Sequence, residues 1–212
     1  MPVDERHKLP AGPAVYMRDQ YAGSAITRWF TDFRDRRIFS FLRPDDRRIV
    51  DIGCGEGITL EYLKGRFPER RVEGIDAEAE NIDICLRHGL TAQHGTVYAL
   101  PFRDAELDCC YLTDVIEHLD RPEAAVSEVH RVLRPGGRLI IVFPRDVMFT
   151  VARLMTGKFS GAFYFPGHVR QWTPREMSAL LNREGFSLRM QQNLPFFFWT
   201  ISLYHLVVAD RR

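Results

Sequence analysis

The chain of 212 residues is 45% hydrophobic and 27% charged, with a formal net charge of +1. That balance suits one globular domain with a sizeable core, and it lacks the basic excess that a nucleic-acid partner demands. Cys54, Cys85, Cys109 and Cys110 form no C-x-x-C pair and have no histidine at zinc spacing, so neither a disulfide framework nor a metal is expected.

Residues 1–20 carry three prolines and many charges and read as a mobile arm. Their opening lacks the basic-then-apolar order of a signal peptide, which makes a cytoplasmic protein the expectation. From Ser24 to Leu42, Ile26, Trp29, Phe30, Phe33, Ile38 and Phe41 recur at mostly helical spacing, as in a helix packed on a sheet. Then Ile49-Val50-Asp51-Ile52 reads as a buried strand, Gly53, Gly55 and Gly57 follow at every second position, and a helical pattern begins at Ile58. A strand, a glycine turn and a helix start make a nucleotide-binding corner with free N–H groups. The dinucleotide fingerprint G-x-G-x-x-G fails here because Ile58 stands at its third glycine, which counts against a nicotinamide oxidoreductase.

A second strand, Arg71 to Asp76, ends in a carboxylate. Its place in a βαβ unit suits hydrogen bonds from ribose hydroxyls. The alternative is a cap for the helix Ala77–His88, which runs with Ile82, Ile84 and Leu86. A third strand lies near Leu90–His94 and a fourth over Glu106–Leu112, leaving Asp114, Glu117 and His118 at a carboxyl end, where ligands of open α/β sheets bind. Asp120-x-x-Glu123 with Pro122 predicts a capped helix start, with Val126, Val129, Val132 and Leu133 inward. Arg134-Pro135-Gly136-Gly137 stops that helix before a fifth strand, Arg138–Phe143.

The irregular stretch Pro144–Gly167 holds many large apolar residues and predicts a lid insertion over 144–170, with a helical piece around Met148–Met155; a dimer contact is the alternative. Thr173-Pro174-Arg175-Glu176 is a capping box whose helix turns Met177, Leu180 and Leu181 inward and ends at Gly185. Phe186–Gln192 and Leu203–Ala209 read as a final hairpin joined through Phe196–Trp199. The apolar run Leu194–Ala209 is interrupted by Pro195, Thr200, Ser202 and His205, short of the roughly 20 residues of a spanning helix, so no stable membrane insertion is expected.

Asp51-Ile52-Gly53-Cys54-Gly55-Glu56-Gly57 resembles motif I (D/E-x-G-x-G-x-G) of the class I S-adenosylmethionine-dependent methyltransferases. Asp76 matches their acidic motif II, and Glu117-His118-Leu119 with the later run Arg131 to Val142 is similar to their motifs post-II and III. The resemblance spans roughly Val50 to Ala209. It implies a single α/β domain over 1–212: a doubly wound, seven-stranded, mostly parallel sheet of order 3-2-1-4-5-7-6, Rossmann-like, with the last strand antiparallel. It implies S-adenosyl-L-methionine as cofactor, held by Asp51, Gly53, Cys54, Gly55, Gly57, Asp76, Ala77, Thr96, Val97 and Thr113. Thr96 departs from the pattern, standing where an Asp usually accepts from the adenine amino group. The implied activity is methyl transfer to O, N or C of a partly apolar small molecule.

A base is needed only for an acceptor that is still protonated. His118 and His168 are the candidates, since imidazole titrates near neutrality; the alternatives are that His118 packs at the helix start and His168 pins the lid. Tyr21 and Trp29 become candidate pocket residues by the same resemblance. A non-catalytic cofactor-binding protein stays open as another reading. So does a protein methyltransferase, although no basic tract or N-P-P-Y tetrapeptide supports it.

Overall fold

Two faces of one sheet are assigned by the alternation of side chains along its central strands. In the computed structural model, which describes residues 25–155, 168–195 and 202–212, the strands are β1 (Arg48–Ile52), β2 (Arg71–Asp76), β3 (Ala92–His94), β4 (Leu107–Thr113), β5 (Leu133–Pro144), β6 (Phe186–Leu194) and β7 (Tyr204–Arg211). Their order is β3-β2-β1-β4-β5-β7-β6. β1 to β5 pair in parallel and β7 runs antiparallel between β5 and β6, the architecture that the resemblance implies.

The helices are α1 (Ala25–Phe39), α2 (Ile58–Arg66), α3 (Ala79–Arg87), α4 (Pro122–Val132), α5 (Asp146–Met155) and α6 (Pro174–Arg183). On one face Val50, Ile52, Cys110, Leu112, Leu139 and Ile141 pack with Val126, Val129 and Val132 of α4 and Met177, Leu180 and Leu181 of α6. On the other, Ile49, Cys109, Tyr111, Ile140 and Val142 meet Ile38 and Phe39 of α1 and Leu63 of α2. Strands covered on both sides are why these segments read as nearly continuous apolar runs. The amino-terminal ends of the parallel strands are tied by ion pairs, Arg134 to Asp108 at 2.6 Å and Arg138 to Asp210 at 3.0 Å.

The expected capping box of α6 is present: the Thr173 hydroxyl accepts from the Glu176 N–H and the Glu176 carboxylate accepts from the Thr173 N–H. The one expected at Asp120 is not. The residue before α4 is Arg121, with no side-chain cap, and Asp120 accepts instead from the Tyr98 hydroxyl at 2.5 Å. Of the apolar residues of α3, Leu86 is exposed, while Ile82 and Ile84 are buried. β5 begins earlier than expected, because Leu133 already pairs with Leu107; the register then jumps to Cys109–Arg138, so the Arg134–Gly137 turn becomes a bulge inside the strand. The arm over 1–20, Tyr21, the lid residues over 156–167 and the Phe196–Trp199 cluster lie outside the described residues. Among the described residues, no helix is long and apolar enough to cross a membrane.

Candidate active site

β1 and β4 lie side by side, and the chain leaves them toward opposite edges of the sheet, which opens a crevice beyond their carboxyl ends. The crevice begins at the glycine turn after β1. Gly53, Gly55 and Gly57 have φ of +76°, +52° and +79°, the left-handed region where a Cβ is strained. A Cβ on Gly53 would sit 2.4 Å from a Val115 methyl, and one on Gly57 would sit 2.6 Å from Leu90 Cδ1 and 2.7 Å from Cys85 Sγ. Over Gly55, by contrast, nothing lies within 4 Å of that position. Two glycines are thus demanded by packing as well as by φ, and the middle one leaves main chain open to a ligand. Gly57 caps α2 with no side-chain hydrogen bond, so the first N–H groups of that helix point into the same corner without a capping side chain.

Asp76 ends β2 beside this turn. Its Oδ2 accepts from the Gly55 N–H at 2.7 Å; its Oδ1 accepts from the Glu78 N–H at 2.9 Å and from Asn81 Nδ2 at 3.0 Å. One carboxylate therefore braces the glycine loop and the entry to α3 together. Ala77 is exposed, and its carbonyl meets His94 Nε2 at 2.9 Å. Cys54 and Cys85 are buried thiols that both donate to the Gly55 carbonyl, at 3.7 and 3.3 Å. Thr96 bridges to Ala99 and its hydroxyl accepts from the Tyr98 N–H at 3.4 Å, while the Val97 side chain is in the core.

Asp51 is buried one residue before the end of β1. Burial first, then repulsion from Asp76 and Asp35, push its carboxyl up to about 7 against the pull of Arg34. A carboxyl raised in the folded state contributes stability that is whole below the ordinary carboxylate range and is lost as pH rises through about 7. The stability advantage of Asp51→Asn over the wild type is therefore expected to grow from about pH 4 to about pH 7 and then to level off. Thermal unfolding of both proteins across that range checks it, and a difference independent of pH would contradict the assignment.

Arg34, missed in the sequence, is the basic counterpart. It is 4% exposed on α1, with Nε 3.0 Å from Asp35 and Nη1 3.2 Å from Asp114. Asp114 follows Thr113, the half-buried last residue of β4, and has φ of +56°. Burial raises its carboxyl, opposed by the charges of Arg34 and His168. The signal for Arg34 was its helical phase, one turn before buried Ile38 on the inward face. Trp29 lies on the opposite face, 63% exposed, stacked on Phe33 at 5.9 Å. It lines a groove of about 340 Å³ with Asp32, Arg36, Arg37 and Ser40, so it does not face the strand ends.

Beyond Asp114 a 3₁₀ turn, Ile116–His118, carries the rest of the site. The carbonyl of Glu117 accepts from the N–H groups of Val169 at 2.9 Å and Arg170 at 3.2 Å, and the Ile116 carbonyl accepts from Trp172 Nε1 at 3.2 Å. This seam brings the two expected histidines together: the rings of His118 and His168 meet edge to face at 4.8 Å. His168 Nδ1 lies 2.9 Å from Asp146 Oδ2, which also accepts from Gln171 Nε2 at 3.1 Å. Glu117 is 2% exposed, and neither of its carboxylate oxygens has a hydrogen-bond partner among the described residues. Burial, with Asp114 and Asp146 close by, pushes its carboxyl well above the usual range.

Known proteins resemble this chain in sequence and in fold. The family profile described as "Methyltransferase domain" matches residues 50–141. The chain is 33% identical over 144 residues to a probable S-adenosylmethionine-dependent methyltransferase of Mycolicibacterium smegmatis, covering 67% of this chain and 52% of that protein. It is 28% identical over 190 residues to the demethylmenaquinone methyltransferase of Thermus thermophilus, covering 79% of this chain and 84% of that protein. Other curated relatives are spanned over only about a third of their own length. In fold it is similar to a solved structure from Thermotoga maritima, a SAM-dependent methyltransferase and possible histamine N-methyltransferase. The TM-score is 0.72 at 21% identity, covering 94% of this chain and 96% of the other.

Proposed function

The chain belongs to the class I S-adenosylmethionine-dependent methyltransferases, and on that premise we propose that it transfers the methyl group of S-adenosylmethionine to an O, N or C atom of a small, partly apolar acceptor. The observation that carries this reading is the corner after β1, where three left-handed glycines meet buried carboxylates and a buried guanidinium.

These residues fit a zwitterionic sulfonium nucleoside. Asp76 keeps lone pairs for ribose hydroxyls after serving Gly55, Glu78 and Asn81, since a carboxylate accepts about four hydrogen bonds. Asp51 matches the ammonium of the amino-acid moiety and Arg34 its carboxylate. Gly53, Cys54, Gly55, Gly57, Ala77 and Thr113 border the path between them. The Val97 N–H and the Thr96 hydroxyl are assigned to the adenine edge; burial of the Val97 side chain fixes the main chain there. When bound, the cofactor supplies a methyl carbon already activated on a sulfonium. The protein's own task is then alignment, which contributes roughly 7–11 kcal/mol in well-oriented systems. His118 and His168 stand on the acceptor's side, where the proton of an O–H or N–H acceptor has to leave.

Support for an apolar acceptor comes from Val147 and Val151, both exposed on α5 next to Asp146. The quinone precursor in the Thermus relative's name points the same way. Calorimetric titration with S-adenosylmethionine, S-adenosylhomocysteine and NAD tests the reading. Both sulfur nucleosides are expected to bind and NAD is not; tight NAD binding with no response to the methyl donor would overturn it.

A further inference from the structure

We propose that Cys54 and Cys85 are an oxidative modification site: a small peroxide closes them to a disulfide in the cofactor corner, and a thiol reductant opens it again. Only the consequence for the cofactor, and not the disulfide itself, rests on the methyl-transfer reading. The two thiols come from different elements, Cys54 from the glycine turn after β1 and Cys85 from α3. Both donate to one acceptor, the Gly55 carbonyl, at 3.7 and 3.3 Å, and they are hydrogen-bonded to each other.

The second observation is that the sulfurs are wedged against main chain. A Cβ on Gly74 would lie 2.6 Å from Cys54 Sγ, and one on Gly57 would lie 2.7 Å from Cys85 Sγ. Each sulfur thus fills the space that a glycine leaves, and Leu60, Ile82 and Leu90 pack the rest of the cluster. The pair stays gathered on Gly55. Cys109 and Cys110 belong to opposite cores of the sheet and have no place in this cluster. Cys54 is the more accessible of the pair, 8% exposed against 0% for Cys85, so it is the thiol that meets an oxidant first.

One peroxide balances the step. The Cys54 sulfur attacks a peroxide oxygen, the O–O bond breaks, water leaves, and a sulfenic acid remains. The Cys85 sulfur then attacks Cys54 Sγ; the S–O bond breaks, and the hydroxyl departs as water with the Cys85 thiol proton. The sulfurs lose two electrons in all, and the peroxide takes them. The hydrogen bond with Cys85 first, then burial, hold the Cys54 thiol well above its ordinary range. The first step is therefore slow, and the pair answers to prolonged exposure. A disulfide draws the sulfurs to about 2.05 Å and takes both thiol donors from the Gly55 carbonyl. Gly55 is the turn residue whose N–H is held by Asp76 at 2.7 Å and whose main chain lies open to a ligand. The new bond displaces the main chain on which the cofactor is proposed to lie.

The test incubates the full chain with hydrogen peroxide, blocks the remaining thiols with iodoacetamide under denaturing conditions, and maps the peptides by mass spectrometry. A linked Cys54–Cys85 peptide, lighter by two hydrogens, is expected. Calorimetry of the oxidised chain should show S-adenosylhomocysteine bound about tenfold more weakly, as for one lost main-chain hydrogen bond, with recovery after dithiothreitol. Cys85→Ser, checked for nucleoside binding before treatment, should form no link and lose less affinity on the same exposure. An equal loss would place the effect on Cys54 alone and overturn the pair. Should Cys85→Ser fail the check, Cys85→Ala replaces it; should both fail, the wild-type peptide map and its reversal decide. A wild-type chain that binds the nucleoside but yields no linked peptide, or yields it with affinity unchanged, overturns the proposal and leaves the methyl-transfer reading standing. The linked peptide, in a chain that takes up neither sulfur nucleoside even when reduced, supports the modification site and overturns the reading instead.

Discussion

His118→Ala is expected to slow methyl transfer by roughly 10²–10⁴-fold at saturating cofactor, the usual range for losing a positioned acid–base group. The His118 ring packs against His168, whose Nδ1 meets Asp146, and neither histidine contacts Asp76, which holds the glycine turn at Gly55. Cofactor affinity should therefore stay within about threefold of the wild type, and the loss should fall on kcat. The measurement is transfer of labelled methyl to a panel of hydroquinones, phenols and fatty acids, with cofactor binding followed in parallel. Partial rescue of the variant by added imidazole would mark a chemical role, because a residue that only packs the 3₁₀ turn is not replaced by a small molecule. Turnover within a factor of two of the wild type would reduce His118 to a surface side chain.

The cofactor side of this site was legible in the sequence and most of the acceptor side was not, for reasons of contact distance. The Asp51–Gly57 turn and Asp76 are local: a strand, its glycines and the next strand of one βαβ unit announce themselves within 26 residues. Alternation of strands and helices indicated a doubly wound sheet. Its order, and the insertion of β7 between β5 and β6, came only from the family likeness, because periodicity says nothing of which strands become neighbours. Arg34 reaches Asp114 across 80 residues, and its aromatic neighbours Trp29 and Phe33 drew attention to the wrong face of α1. The burial of Glu117 is equally nonlocal. It follows from the seam with Val169 and Arg170, and nothing around position 117 distinguishes it from an exposed glutamate. At Asp120 the capping pattern was correct as a pattern, but the Tyr98 hydroxyl, 22 residues away, took the carboxylate.

Asp76→Ala is expected to weaken cofactor binding by about tenfold at least, and by about a hundredfold if both of its duties matter. Hydrogen bonds to a charged group contribute roughly 1.5–3 kcal/mol each, and about 1.4 kcal/mol is a factor of ten in affinity. The first duty is the proposed acceptance from the ribose. The second is visible in the fold, where Oδ2 takes the Gly55 N–H at 2.7 Å and holds the middle glycine in its left-handed turn. Bracing the entry to α3 is a third role, through Glu78 and Asn81, and it belongs to stability and not to binding. Asp76→Asn separates them. Asparagine caps a helix start about as well as aspartate, so it should keep the unfolding temperature near that of the wild type. It brings no charge and offers fewer lone pairs, so cofactor affinity should still fall several-fold. Calorimetry with S-adenosylhomocysteine and thermal unfolding, run on both variants, give the two readouts. If both bound the nucleoside as tightly as the wild type while only Asp76→Ala lost stability, Asp76 would be a helix cap and the ribose contact would lie elsewhere.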